Sequence, residues 1–394
     1  MKYDFTIIGA GIVGLSTAFS LKKKYPNSNI AILEKEKSFS IHQSGNNSNV
    51  IHSGIYYKPN SKKALNCKKG YDLLLNFLKE NNLPYEICGK LIVAINEHEE
   101  VELMKIFKNG KLNGLQDLKI LNKKEIWKYE PNVNGFKAIH VPKAGITDYK
   151  LVSKKIYDIL IENNVKFFFN HKVKDIIINK KEIQVLVENN KIIESDYVIN
   201  IGGLYSDKLA RLTTKIEHKI VPFRGEYYDL KPSASHLVKN LIYPVPNPNF
   251  PFLGVHFTRT VSGKIESGPN AVFAFSREGY SFYDFKIKDF IESIFYLGFI
   301  KIAFRYWKDG LMEIYRSINK KAYLKSMQKL IPSITIDDIE KGGSGVRAQA
   351  IKKNGDMVDD FLITKNGKVI NVCNAPSPAA TACFAIGEEI TNLI

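Results

Sequence analysis

The chain has 394 residues, 44% of them hydrophobic and 25% charged, with a formal net charge of +17. That composition excludes a disordered, collagenous or disulfide-stapled polypeptide, and leaves room for two domains or for one large core with an insertion. The positive balance suits anionic partners such as nucleic acid, acidic lipid headgroups or an acidic small molecule, but Lys scattered beside Asn and Ile (NKKEIW, KNGKLNG) also reads as plain codon bias. There is no compact basic run with interleaved aromatics, so nucleic acid is not an expected partner. Cys67, Cys88, Cys373 and Cys383 form no CxxC and no metal-ligand spacing, which points to a reduced, cytoplasmic protein without a metal. No cleavable signal is expected, because the first strand begins at residue 3.

In chain order, YDFTIIGAGIVGLSTAFSLKKKY (3–25) reads as a buried strand, a Gly turn and a helix, and NIAILEK (29–35) as a second strand. HQSGNNSNVIHSGIYYKP (42–59) has neither helical nor strand period and is a poor core segment. Residues 62–81 have helical spacing through Leu65, Tyr71, Leu74, Leu75 and Leu78. GKLIVAIN (89–96) is a strand, and a helix over about 149–163 precedes three short strands, KFFFN, KVKDIIIN and EIQVLVE. SDYVINIGG (195–203) is a buried strand that ends in a Gly pair, with a helix from Ser206. From 219 to 280, Pro, Gly and aromatics alternate as in an antiparallel sheet. Residues 284–330 return to helical period, and from 342 the pattern is again strands, closed by a helix over 377–392. The stretch 290–307 is apolar but contains Glu292, Lys301 and Arg305, so it should not span a bilayer.

Gly9, Gly11 and Gly14 form G-x-G-x-x-G between a strand and a helix, and Glu34 follows at the end of the second strand. This is a dinucleotide fingerprint in its required context. The first glycine makes the turn, the second admits the pyrophosphate and the third packs helix on strand, while the acid accepts from a ribose hydroxyl. A fingerprint at the N-terminus, with a C-terminal segment that returns to the same site, favours FAD over NAD. There Asn374, Ala375, Pro376, Ser377 and Pro378 lead into a helix whose first N–H groups can meet an anion or a flavin carbonyl. The expected cofactor contacts are Gly9, Gly11, Gly14, Glu34, Gly202, Gly203, Ser377 and Pro378 from these patterns, with Lys35, Gln43, Ser44, Asn47, Val173 and Thr381 as further expected contacts.

Together, IIGAGIVGLS, HQSGNNSNVIHSGIYYKP, AGITDY, VPFRGEYY, LIYPVPNPNFPFLGVHFTR, ESGPNAVFAFSREGY, GSGVRAQAI, DMVDDF and NAPSPAAT span essentially the whole chain. The set resembles the L-2-hydroxyglutarate oxidase/dehydrogenase family of the D-amino-acid oxidase-like FAD enzymes. Two departures stand out: Ile201-Gly202-Gly203 replaces Cys-Ala-Gly, and Asn47-Ser48-Asn49 replaces Asn-Ser-Gly.

The resemblance implies an α/β (α+β two-domain) fold. A discontinuous Rossmann-like FAD-binding domain (1–85, 145–218, 331–394) would be interrupted by a substrate domain of antiparallel sheet plus helices (86–144, 219–330) with a helical insertion over 284–330. It also implies oxidation of L-2-hydroxyglutarate, a small dicarboxylate, to 2-oxoglutarate, with electrons passed to a quinone or to oxygen. Glycerol 3-phosphate, another 2-hydroxy acid or an amino acid is the alternative substrate.

Hydroxy-acid oxidation needs a hydride acceptor, a proton acceptor and a grip on the carboxylate. His256 in GVHFTR is the preferred base, with His52 in VIHSG as its rival. Arg347 resembles the Gly-x-Arg carboxylate clamp of relatives, and Tyr57, Arg224 and Arg259 are candidates for the second carboxylate. The aromatic helices over 284–315 read either as a pair closing the substrate domain or as a peripheral membrane contact, on the cytoplasmic face of the inner membrane, with Lys301, Arg305 and Lys308 toward acidic headgroups.

Overall fold

The computed structural model describes residues 2–188, 190–248 and 252–394; residues 249–251 of the LIYPVPNPNFPFLGVHFTR motif lie outside the described residues. The first strand, β1 (Lys2–Ile8), is almost wholly apolar toward its end and is buried there on both faces, as a central parallel strand must be. It lies between β2 (Ile30–Leu33) and the strand Ile192–Asn200, both parallel to it, with Phe5 opposite Ile30 and Ile7 opposite Ile199. The strands Lys166–Phe168 and Val369–Asn374 extend this parallel core on its two sides, and antiparallel strands complete an eight-stranded sheet. Helix α1 (Ile12–Lys24) follows the first turn and ends in Lys22, Lys23 and Lys24, whose charges suit the negative end of a helix dipole.

In a sheet of this kind, ligands sit beyond the carboxyl ends of the strands, where the strand order reverses. Here those ends deliver Gly9, Glu34 and Gly202 to one place. Leu33 accepts from the Gly9 N–H at 2.8 Å, and Ile8 accepts from the Ile201 N–H at 2.9 Å.

The second sheet has nine strands, mostly antiparallel. Its spine is His218–Leu230, paired along its length with Ile339–Lys352. The sequence reading puts everything after 331 with the nucleotide half, but Ile339–Lys352 pairs into this second sheet instead. A strand carrying Gly342, Gly343 and Gly345 has too little apolar alternation to reveal its partner. The helix Lys320–Gln328 packs Tyr323, Leu324 and Met327 against Leu91, Val93 and Phe257 of the sheet. A three-stranded sheet, Val50–Ile51, Gly145–Thr147 and Tyr85–Glu86, completes the β structure.

The helix expected over 62–81 is Lys62–Glu80, started by the Ser61 hydroxyl accepting from the Ala64 N–H. The closing helix begins at Cys383, not 377. Pro376 and Pro378 lack N–H groups, and each restricts the residue before it, so the chain makes turns until Ala382. One buried ion pair ties the two large sheets together. Asp207, just after the Gly pair, accepts from Arg277 at 2.6 and 2.9 Å, and the same guanidinium reaches the Leu204 carbonyl. Such a pair resists the removal of either partner, and it fixes the Gly202–Gly203 turn against the substrate-side sheet.

Candidate active site

A cavity of about 1180 Å³ runs from the β1–α1 turn to the second sheet. That is larger than a single drug-sized ligand requires and suits a dinucleotide with a substrate at its end. Its first half is built from backbone. Gly9 has φ of +111°, and a Cβ there would stand 2.4 Å from the Ile201 carbonyl oxygen. At Gly14 a Cβ would stand 2.0 Å from the Gly9 carbonyl oxygen, so helix and strand touch only because both residues are bare. The first turn of α1 carries no acid, and its N-terminus is open to the cavity through Gly11, Ile12 and Val13. Such an end attracts a pyrophosphate.

Of the expected cofactor contacts, Gly9, Gly11, Glu34, Lys35, Gln43, Ser44, Asn47, Val173, Gly202, Gly203, Ser377 and Pro378 all line the cavity. The carboxylate of Glu34 accepts from the Ala10 and Glu36 N–H groups at 2.9 and 3.0 Å, which aims it along the strand ends. Ser44 accepts from the Ile12 N–H at 2.9 Å, so it caps α1 as well as facing the cavity. Two residues fall behind the wall. Gly14 acts only by its bareness. Thr381 is buried, and its hydroxyl accepts from the His52 N–H at 3.1 Å and pairs with the Tyr149 hydroxyl at 2.9 Å. Thr381 therefore anchors the His52 segment instead of meeting a ligand. Thr381 stands in the turns that precede the closing helix, which begins at Cys383.

Glu36, His42 and Glu278 bring three potential metal-ligand atoms together. The Lys35 ammonium bonds both carboxylates and lies 3.0 Å from His42 Nε2, so a cation is already supplied. Against the penalty of burial, Lys35 holds the Glu278 carboxyl down at about 2.

The other half of the cavity carries ionisable side chains. His256 begins the strand His256–Arg259, stacks on Tyr243 with ring centroids 4.0 Å apart, and lies 2.9 Å through Nδ1 from the Gly254 carbonyl. That carbonyl can only accept, which puts the proton on Nδ1 and leaves the Nε2 lone pair available. Burial, with Arg347 and Lys90 nearby, pulls the His256 pKa down to about 3 despite the Gly254 bond. The ring is therefore neutral at physiological pH. His52 is also drawn down to about 3 by burial, and its Nε2 lies 3.3 Å from the Ser377 hydroxyl. Arg347 lies on the strand opposite Phe223, with one N–H on the Asn270 carbonyl at 3.2 Å and its guanidinium over the Phe252 ring. It makes no ion pair among the described residues. Tyr57 lines the cavity with its phenol held protonated by burial.

The structure does not bring Arg224 or Arg259 to this cavity. Arg224 is buried beneath it, bonded to Glu226 at 2.9 Å and to the Ser281 carbonyl at 3.1 Å. Arg259 reaches outward to Glu86 at 2.5 Å. Both sit in distinctive motifs, but strand alternation turns their side chains away from the ligand side. Sequence reasoning missed Tyr227, Tyr243 and Lys63, which line the cavity, and Lys90, which lies against it. The period-2 alternation that places Tyr243 was legible; the inward turn of a Lys at the head of GKLIVAIN was not.

A family model described as FAD dependent oxidoreductase matches residues 4–393. The chain is 46% identical over 393 residues to the L-2-hydroxyglutarate dehydrogenase of Indibacter alkaliphilus, covering 99% of this chain and 98% of that one. It is 41% identical over 408 residues to the mitochondrial L-2-hydroxyglutarate dehydrogenase of Homo sapiens, covering 99% and 88%. Among solved structures, an L-alpha-glycerophosphate oxidase of Mycoplasma pneumoniae with FAD bound superposes with a TM-score of 0.82 at 23% identity, over 100% of this chain and 94% of that one. This last likeness speaks for the fold alone. A glycine-lined cradle, a helix N-terminus and a ribose-side acid fit FAD, and the chain belongs to the FAD dependent oxidoreductases, within the L-2-hydroxyglutarate dehydrogenase family.

Proposed function

We propose that this enzyme oxidises L-2-hydroxyglutarate to 2-oxoglutarate, and that its electrons leave to a quinone at a lipid surface. The observation that supports the substrate class is a neutral His256 beside an Arg347 that has no carboxylate partner among the described residues. FAD, held along the Gly9–Gly11 turn, supplies the hydride acceptor. Arg347 holds the substrate's α-carboxylate through its free N–H donors. The His256 Nε2 takes the hydroxyl proton as the Cα–H bond breaks, with its tautomer fixed by Gly254. Formation of 2-oxoglutarate from the L but not the D enantiomer tests this reading, and turnover of glycerol 3-phosphate alone would replace it.

The acceptor is argued from the helices Ile287–Ile294, Leu297–Arg305 and Trp307–Ile318. These helices bury Ile302 against the domain but leave a large apolar surface outside. Phe295 is 74% and Phe304 78% exposed, and Ile287, Trp307, Leu311 and Ile318 are exposed beside them, while Glu313 is only 5% exposed. Glu313 faces inward to accept the Ala271 N–H at 2.9 Å. A helical pair closing the substrate domain accounts for the buried Ile302, which clusters with Val221, Phe223 and Ile351, but leaves the exposed apolar residues unexplained. An exposed apolar surface of this kind marks an interaction site, and Lys288, Lys301, Arg305 and Lys308 around it suit acidic headgroups. None of the described helices is long and apolar enough to cross a membrane.

The holoenzyme should sediment with vesicles containing phosphatidylglycerol and far less with pure phosphatidylcholine. The double variant Phe304→Ser, Trp307→Ser should lose that binding while keeping its rate with a soluble dye acceptor. Unchanged sedimentation of the variant, or none by the parent, would leave oxygen as the acceptor to test.

A further inference from the structure

With Arg224 and Arg259 both engaged elsewhere, the far end of a dianionic substrate has no cation from the expected set. Lys90 is placed to supply one. It heads the strand Lys90–Ala94, held in register by Val141 on one side and Leu241 on the other, and is only 2% exposed. Its ammonium lies 4.7 Å from the centre of the Tyr56 ring and 4.6 Å from that of Tyr243, and both of these rings line the cavity. Among the described residues it makes no hydrogen bond and no ion pair. In the same corner the Tyr56 hydroxyl is buried without a hydrogen-bond partner among the described residues.

Two aromatic faces offset only part of what an ammonium loses on leaving water. Burial accordingly draws the Lys90 pKa down to about 7. The one acidic group near enough to counter this is Cys67, and burial pushes its thiol up to about 12, so it stays neutral. An ammonium and a hydroxyl in one corner, neither with an acceptor among the described residues, describe half of a carboxylate site.

Resting on the dicarboxylate reading above, we propose that Lys90, with the Tyr56 hydroxyl, forms the subsite for the substrate's distal carboxylate and selects dicarboxylates over monocarboxylates. Arg347 and Lys90 both lie close enough to His256 to disfavour its protonated form. A substrate stretched between the two cations therefore presents its hydroxyl-bearing carbon to that ring. Lys90 is a specificity-determining residue in this arrangement; it transfers neither hydride nor proton.

The test is anaerobic flavin bleaching by L-2-hydroxyglutarate and by L-2-hydroxypentanoate, the same carbon chain without its second carboxylate, in the holoenzyme and in Lys90→Met. The half-saturating concentration of the dicarboxylate should rise about 30-fold or more, the scale of a lost charge-assisted hydrogen bond. That of the monocarboxylate should stay within about twofold, and the limiting bleaching rates within about threefold, because the reacting centre is untouched. An equal rise for both substrates, or no rise for the dicarboxylate, overturns the proposal. Should Lys90→Met lose its flavin, Lys90→Arg keeps the charge and should keep the preference for the dicarboxylate; its loss there overturns the proposal equally. A parent enzyme that L-2-hydroxyglutarate does not bleach would instead sink the substrate reading.

Discussion

His256→Ala should lower the limiting rate of flavin reduction by about 10²–10⁴-fold, the usual worth of a positioned general base. Flavin content should be unchanged, since the ring touches Tyr243 and Gly254 and none of the glycine cradle. His52→Ala should do less, because the His52 Nε2 is turned toward Ser377 and its N–H is held by Thr381. Stopped-flow reduction of the two variants separates them, and the reverse order would move the base to His52. Both histidines have folded-state pKa values pulled to about 3, well below the ordinary value near 6.5. Between those limits the unfolded chain binds protons that the folded chain refuses, so each histidine makes the protein less stable as the pH falls through that window. His256→Ala should therefore narrow the gap in melting temperature between pH 7 and pH 5.

The second large effect belongs to Arg347. Its replacement by Ala should raise KM about 10²-fold, since a charge-assisted contact to a carboxylate is lost in the ground state and the transition state alike. Burial lowers the Arg347 pKa from its usual value without discharging the group, and the guanidinium lies against Phe252 with one bond to a backbone carbonyl. Arg347→Lys keeps the charge but not the two parallel donors, so most of the KM defect should persist. Steady-state kinetics with a dye acceptor measure both variants, and a parent-like KM in Arg347→Ala would remove this residue from the site.

What could be read from the chain follows from which parts of it are under backbone constraint. Gly9 and Gly14 announce the cradle because backbone leaves no room for a side chain at either, Gly11 completes the spacing, and Glu34 follows at the strand end where such a fold requires an acid. His256 and Arg347 were legible through the family resemblance of GVHFTR and GSGVRAQ, and both line the cavity. Arg224 and Arg259 look the same in sequence, yet an ion pair claims each. The partner of Arg224 is local, since Glu226 stands two residues on in PFRGEY and on the same strand face, whereas nothing local to HFTRT points to Glu86 as the partner of Arg259. Lys90 was illegible for the opposite reason: a lysine ahead of an apolar run reads as a solvated strand end. The strands Lys137–Val141 and Leu241–Pro244, one on each side of it, make it interior. The helices after 284 gave their period but not which apolar residues would stay exposed, because a periodic apolar stripe does not state what covers it.

In the proposed enzyme one cavity joins a flavin to a stereospecific site for a 2-hydroxy dicarboxylate. Anaerobic addition of L-2-hydroxyglutarate to the purified holoenzyme tests it most directly, with the D enantiomer in a parallel cuvette. Bleaching of the visible flavin band by the L form alone is the predicted result. A yellow protein that neither enantiomer bleaches, or that both bleach alike, would contradict it.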